Sequence, residues 1–210
     1  MHDDHHDDPH APLAHDHPQT EFEKRVDAVQ ALLIEKGIIT PDDVRRAVEE
    51  MDSRSPALGA KVIARAWVDP AFKGRLLANA KRAIAELGIE FTQEAALFAV
   101  ENTEKVHHVV VCTLCSCYPR GLLGYPPDWY KSLNYRSRVV VDPRGVLKEF
   151  GLELDANVEV RVLDSTADMR YLVIPPRPAG TERMDEEELA SLVTRDSMIG
   201  VARARTPALQ

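Results

Sequence analysis

Between Thr20 and Gly88 the apolar residues recur at helical spacing; beyond Gly88 they alternate or run together as strand residues do. Phe22, Val26, Val29, Leu32 and Leu33 form one stripe, opened by Thr20 with Glu23 and closed by Gly37. A hydroxyl and a carboxylate at that spacing satisfy each other's free amides, which predicts a helix start. Thr40 predicts a second start, with Pro41 in the first turn and Asp42 and Asp43 at the positive end of the dipole. A third helix is expected from about Leu58 to Val68. A fourth follows Asp69-Pro70, where Phe72, Leu76, Ala80, Ala83, Ile84 and Leu87 share one face up to Gly88. The first two helices are short, so residues 20–55 read as a helical arm that needs another surface for its apolar face.

Leu97–Val100, the β-branched run Val106–Val111, and Tyr171–Ile174 before Pro175-Pro176 predict strands. Val158, Val160 and Val162 alternate with Glu159 and Arg161, as in a half-exposed strand. Val139–Val141 fits either element. Pro143–Phe150, closed by Gly151, and Asp185–Val193 predict short helices. These elements mix without βαβ regularity, so residues 56–210 read as an α+β domain. Residues 1–19 interleave His2, His5, His6, His10, His15 and His17 with aspartates and prolines. So polar a stretch predicts a disordered tail, and its histidines have no defined ligand spacing.

The chain has 210 residues, 44% hydrophobic, enough for a sizeable core. Aromatics at 6% argue against a stacking platform for single-stranded nucleic acid. Lys plus Arg number 26 against 34 Asp plus Glu, a formal charge of -8, which disfavours nucleic acid and anionic membranes as partners. No apolar run approaches the roughly 20 residues of a membrane span, and the start lacks the basic and apolar regions of a signal peptide. A cytoplasmic location is expected. The three cysteines all lie between 112 and 117, an odd local cluster that rules out a disulfide framework and points to metal or redox chemistry.

Three chemistries compete for Val111-Cys-Thr-Leu-Cys-Ser-Cys-Tyr-Pro119. Structural zinc wants four tetrahedral ligands, but there is no second cysteine pair, and His107 and His108 face opposite sides of the preceding strand. A Cys112/Cys115 redox pair wants a βαβ setting and a helix N-terminus, and leaves the third thiol unexplained. The backbone offers a better account. The thiolates of Cys115 and Cys117 and the amide nitrogens of Ser116 and Cys117 close five- and six-membered chelate rings, giving an S₂N₂ square. Cys112 reaches beneath it as an axial thiolate, and the sixth position stays open, as a catalytic metal requires. Deprotonated amides are strong-field donors that favour small trivalent ions such as cobalt(III) or iron(III).

This segment closely resembles the metal claw of the nitrile hydratase alpha-subunit family. Ala64-Arg-Ala-Trp67-Val-Asp-Pro70, Val100-Glu-Asn-Thr103, Pro126-Pro-Asp-Trp129-Tyr-Lys131, Tyr135-Arg-Ser-Arg138, Asp164-Ser-Thr166, Arg170-Tyr171 and Arg177-Pro-Ala-Gly180-Thr are similar to that family's blocks, in order. The resemblance spans about residues 20–205. It implies a layered α-β-β-α domain behind the arm, and hydration of a small nitrile to an amide. The nitrile binds at the open metal position, and water or the Cys117 sulfenate oxygen attacks its carbon. The implied partner is a separate beta subunit, in an alpha–beta heterodimer or an alpha2–beta2 assembly, and an activator protein for cobalt insertion is a further implied partner. Cys112 would be the unmodified axial thiolate, Cys115 a sulfinic acid and Cys117 a sulfenic acid. Thr113 stands where the cobalt branch is similar and the iron branch has Ser, so Co(3+) is the implied cofactor, with Fe(3+) the alternative.

The claw would carry a net charge of about -2, which hydrogen-bond donors must offset in a dry pocket. The family supplies two arginines from the beta subunit. Gln93 and Arg170 match residues near the family's claw, and Asp168 stands where the family has Glu. Trp129 and Tyr130 suit a substrate wall or a core and interface; Trp67 suits packing. Two departures stand out: His108 for the family's Asn, and Arg120 for its Trp. Tyr118-Pro-Arg120 is similar to the thiocyanate hydrolase gamma subunit, the nearest alternative, although Asp164-Ser-Thr166 and Arg177-Pro-Ala-Gly180 look more like nitrile hydratases. A non-catalytic metal or redox protein is the alternative from another class.

Overall fold

The protein is described here by a computed structural model over residues 20–52 and 54–207. The His- and Asp-rich stretch 1–19 lies outside the described residues. Helix α1 (Glu21–Glu35) starts as its sequence requires: Thr20 Oγ1 accepts from the Glu23 amide at 3.2 Å, and the Glu23 carboxylate accepts from the Thr20 amide at 2.7 Å. Helix α2 (Pro41–Asp52) repeats the device with Asp43, whose carboxyl the Thr40 hydrogen bonds hold below its usual range. The described chain divides into two compact units at Glu49/Glu50. In the first, no residue of α1 is buried, and Phe22, Val26, Val29 and Leu32 are exposed.

The second unit opens with α3 (Pro56–Val68), capped by Ser55, and α4 (Pro70–Ala78), capped by Asp69. The single fourth helix expected up to Gly88 is two. Asn79 ends α4 with its amide on the Arg75 carbonyl and starts α5 (Ala80–Ala85) with its side-chain oxygen on the Arg82 amide at 3.0 Å. Asparagine competes for backbone groups and favours caps, so it breaks the helix while the apolar face continues across it. Phe72, Leu76, Ala80, Ala83 and Ile84 are all buried.

Strands β1 (Ala96–Glu101) and β2 (Val106–Val111) follow, then α6 (Arg120–Leu123), α7 (Asp128–Lys131), α8 (Leu133–Val141) and α9 (Pro143–Glu149). The ambiguous Val139–Val141 is helical. Ser132 caps α8, and only Val139 of the three valines faces the core. Strands β3 (Glu159–Asp164) and β4 (Met169–Ile174) and helices α10 (Glu186–Leu192) and α11 (Arg195–Ile199) complete the unit.

Two parallel pairs form, β1 with β4 and β2 with β3. Pairing of β2 with β3 sets Val111 opposite Asp164, so the chain leaves β2 into the cysteine segment beside the end of β3. Behind β2, the carbonyl of His108 comes so close to Gly200 that a Cβ there would lie 1.9 Å from it. Gly200 also has φ +89, a left-handed conformation that closes α11. Helices and strands thus mix as expected, on a core that runs from α3 through both strand pairs. No helix among the described residues is long and apolar enough to cross a membrane.

Candidate metal centre

Buried β2 delivers Cys112 to the rim of the core, where the sheet ends and the backbone turns back on itself. The turn gathers the three sulfurs of Cys112, Cys115 and Cys117 within 4.8 Å of one another. The Cys112–Cys115 and Cys115–Cys117 Sγ separations are 3.4 and 3.2 Å. Two sulfurs bonded to one ion at about 2.3 Å stand about 3.3 Å apart at a right angle and about 3.8 Å apart at the tetrahedral angle. The observed spacing therefore fits a square or octahedral ion better than tetrahedral zinc. Cys112 is buried, Cys117 half-buried and Cys115 exposed, so the cluster opens outward through the Cys-Ser-Cys edge. Ser116 lies between the two thiols, where its amide and that of Cys117 are available as further donors.

The thiols are electrostatically unequal. Hydrogen bonds from Cys117 and then Cys112 hold the Cys115 thiol below its usual range. Burial, foremost, pushes the Cys117 thiol up to about 12, against an opposing pull from the Arg170 charge. The Cys115 amide donates to Cys112 Sγ at 3.3 Å.

Four side chains from elsewhere in the fold pin the turn. Asp164, at the end of β3, accepts from the Thr113 amide at 3.0 Å and from its hydroxyl at 2.6 Å. Arg136, on α8, donates to the carbonyls of Thr113 and Leu114. Tyr130 donates its hydroxyl to the Cys117 carbonyl at 2.9 Å, and Gln93 donates to the Tyr118 carbonyl at 3.2 Å. Beneath them Tyr118, Tyr130, Trp129, Tyr135 and Phe150 interlock edge to face. Trp129 and Tyr130 thus belong to a packed aromatic cluster, and Trp67 donates its indole to the Pro175 carbonyl.

The sequence-predicted residues are brought together unevenly. Cys112, Cys115 and Cys117 form the cluster itself, with Ser116 between the last two. Gln93 braces its exit and keeps a buried Oε1 without a partner among the described residues. Arg170 turns its guanidinium onto the turn before β4, donating to the carbonyls of Thr166, Ala167 and Met169, while its charge reaches Cys117. Asp168 is exposed. Its backbone bonds to Ala96 and Thr166, and its carboxylate has no hydrogen bond or ion pair among the described residues. His107 and His108 turn away from the sulfurs. His107 lies between Asn102 and the Gly200 carbonyl, and His108 faces Asn102. Asp164 and Arg136, in the segments Asp164-Ser-Thr166 and Tyr135-Arg-Ser-Arg138, are functional residues that the sequence did not single out. The only signal was their chemistry, a carboxylate closing a strand and an arginine next to Trp129, Tyr130 and Tyr135.

The nitrile hydratase alpha-chain family model matches residues 20–202. The alpha subunit of the high-molecular-weight cobalt-containing nitrile hydratase of Rhodococcus rhodochrous is 54% identical, covering 92% of this chain and 96% of its own length. The thiocyanate hydrolase gamma subunit of Thiobacillus thioparus is 41% identical, covering 87% and 80%. Among solved structures, a double mutant of the Fe-type nitrile hydratase of Comamonas testosteroni Ni1 superposes with a TM-score of 0.82 at 44% identity, covering 90% of this chain and 94% of that one.

Proposed function

The chain belongs to the nitrile hydratase alpha-chain family, and from that premise we propose that it forms the metal-bearing half of a cobalt enzyme that adds water to small nitriles. The observation that carries this reading is the gathering of three sulfurs on a Cys-Ser-Cys turn, with Cys112–Cys115 and Cys115–Cys117 separations of 3.4 and 3.2 Å. Cys112, Cys115 and Cys117 would hold the ion through sulfur, and Ser116 and Cys117 through their amides. A trivalent cobalt bound there supplies Lewis acidity that polarises a nitrile; the iron(III) alternative would supply the same.

The remaining work falls to this chain's own groups. Cys115 as a sulfinic acid and Cys117 as a sulfenic acid belong to the same reading. Tyr130 fixes the Cys117 carbonyl, and with it the direction of the Cys117 side chain. Arg170 brings positive charge toward Cys117, and Gln93 braces the peptide beyond it. The open Cys-Ser-Cys edge, with exposed Leu114 beside it, is where we place the beta subunit, in an alpha–beta or alpha2–beta2 assembly. Desolvating the edge strengthens every charge interaction within it. Domain limits of 20–55 for the arm and 56–210 for a layered α-β-β-α catalytic domain, a cytoplasmic location, and cobalt delivery by an activator protein belong to the same reading.

The test is co-production with the beta subunit in cobalt medium, followed by product analysis and peptide mass spectrometry. Amide without ammonia is expected, with two added oxygens on Cys115 and one on Cys117. Absence of amide from a complex that holds cobalt and carries both modifications would overturn the reading. One feature favours thiocyanate as a second substrate to try: Arg120 is exposed at the start of α6, and its guanidinium has no partner among the described residues.

A further inference from the structure

Arg136 is half-buried on α8 and has no carboxylate partner among the described residues. Its Nε and Nη2 donate to the Thr113 carbonyl at 3.3 and 3.0 Å, Nη2 also donates to the Leu114 carbonyl at 3.2 Å, and Nη1 reaches the Lys131 carbonyl at 3.4 Å. Two residues along the same helix, Arg138 behaves in the ordinary way and pairs with Glu149. A planar guanidinium that bridges consecutive carbonyls fixes the orientation of both peptide planes, which a single-point ammonium does not. The planes it fixes are Thr113–Leu114 and Leu114–Cys115, the two that lead into Cys115. From the opposite side Asp164 holds the amide and hydroxyl of Thr113. Thr113 is therefore held at its amide, its hydroxyl and its carbonyl at once.

We infer that Arg136 is a positioning residue that sets the Cys112–Cys115 turn ready for its metal before any metal arrives. It also leaves one uncompensated positive charge from this chain beside a ligand set that is negative overall. The inference rests on the metal reading of the cluster. It reaches beyond that reading by assigning to the alpha chain a cation and a pre-set turn that do not depend on the beta subunit.

The experiment compares wild type, Arg136→Gln, Arg136→Lys and Arg138→Gln, each produced with the beta subunit in cobalt-free, cobalt-limited and cobalt-rich media. Cobalt per chain, charge-transfer absorption, and the rate of iodoacetamide labelling at Cys115 and Cys117 in the cobalt-free complex are measured. Arg136→Gln is expected to need about 10- to 100-fold more cobalt for the same occupancy, the usual effect of losing a group that orients metal ligands. Its cobalt-free thiols should also label several-fold faster. Arg136→Lys should recover part of both, and Arg138→Gln should match wild type.

Wild-type cobalt uptake and labelling in Arg136→Gln would overturn the inference. So would an equal loss in Arg138→Gln, which would assign the effect to helix packing. If Arg136→Gln does not fold, Arg136→Lys decides: intermediate values support the inference, and wild-type values overturn it. Wild type holding no cobalt in any medium would sink the metal reading instead, while the labelling rates in the cobalt-free complex still decide on Arg136.

Discussion

At the scale of single residues, the centre depends on hydrogen bonds that cross long stretches of chain. Asp164 gives one carboxylate oxygen to the Thr113 amide and the other to its hydroxyl. Charge-assisted bonds of this kind contribute about 1.5–3 kcal/mol each, and more is lost when a partner is left unsatisfied. Asp164→Asn keeps one acceptor and loses the charge, so it should lower the stability of the complex by about 1–2 kcal/mol. Thr113→Val should cost about 1 kcal/mol. A double-mutant cycle of the pair is expected to show coupling of about 1 kcal/mol, whereas strictly additive losses would place the two effects elsewhere. The contrast in legibility follows from the same geometry. The grouping of Cys112, Cys115 and Cys117 was legible in sequence because they lie within six consecutive residues. Asp164 and Arg136 act on main-chain atoms far away in sequence, and a backbone acceptor leaves no residue pattern to find. Arg170 and Asp168 show the reverse case. Both were expected near the claw: the Arg170 guanidinium holds the turn before β4 while its charge reaches Cys117, and the Asp168 carboxylate is exposed.

Among the elements, local signals predicted the starts well because a cap is a short-range contract between neighbours. Thr20, Thr40 and Asp69 all begin helices as their spacing required. Asn79 is silent in the pattern because the apolar periodicity runs through it unbroken. Its own cap can be checked: Asn79→Ala should cost about 1 kcal/mol by freeing the Arg82 amide. What no pattern revealed was the parallel pairing of β2 with β3, which alone sets the cysteine turn beside Asp164. That pairing is backed by α11, whose closing Gly200 lies against the His108 carbonyl. A methyl there would meet the oxygen at 1.9 Å and would require a left-handed conformation as well. Gly200→Ala is therefore expected to destabilise the complex by at least about 3 kcal/mol. It should lower cobalt content too, because β2 carries Cys112. A melting temperature within a degree or so of wild type would show that the close approach relaxes at little cost.

Over the whole molecule, acid is the condition that should test this packing first, through two buried histidines. His107 donates from Nε2 to the Gly200 carbonyl at 2.7 Å and receives the Asn102 amide at Nδ1, 3.1 Å away, which fixes it as a neutral imidazole. His108 sits with Nδ1 3.1 Å from the Asn102 side-chain oxygen. Burial is the main cause that lowers both from 6.5; at His107 the Gly200 hydrogen bond opposes it and Arg203 aids it, and at His108 Arg161 and His107 aid it while the Glu101 backbone and Glu159 oppose it. A base with a depressed folded-state pKa binds its proton more readily unfolded. Its stability contribution is therefore complete above 6.5 and is lost as pH falls from there toward the lowered values. Each imidazole adds a slope of up to about 1.4 kcal/mol per pH unit across that window. The surface carboxylates whose pKa is lowered, Asp43, Glu86, Asp128, Glu149 and Glu159, lose their contribution only further into acid. Half-buried Asp196, raised by desolvation, acts with the opposite sign. Unfolding of the complex between pH 7.5 and 5.5 thus isolates the histidines once wild type is compared with His107→Gln/His108→Gln. The variant should be less stable at pH 7.5 yet lose less on acidification, because the beta subunit's own titrations cancel in the difference. Parallel stability curves for the two proteins would mean that the histidines remain neutral throughout, and that acid sensitivity arises elsewhere in the assembly.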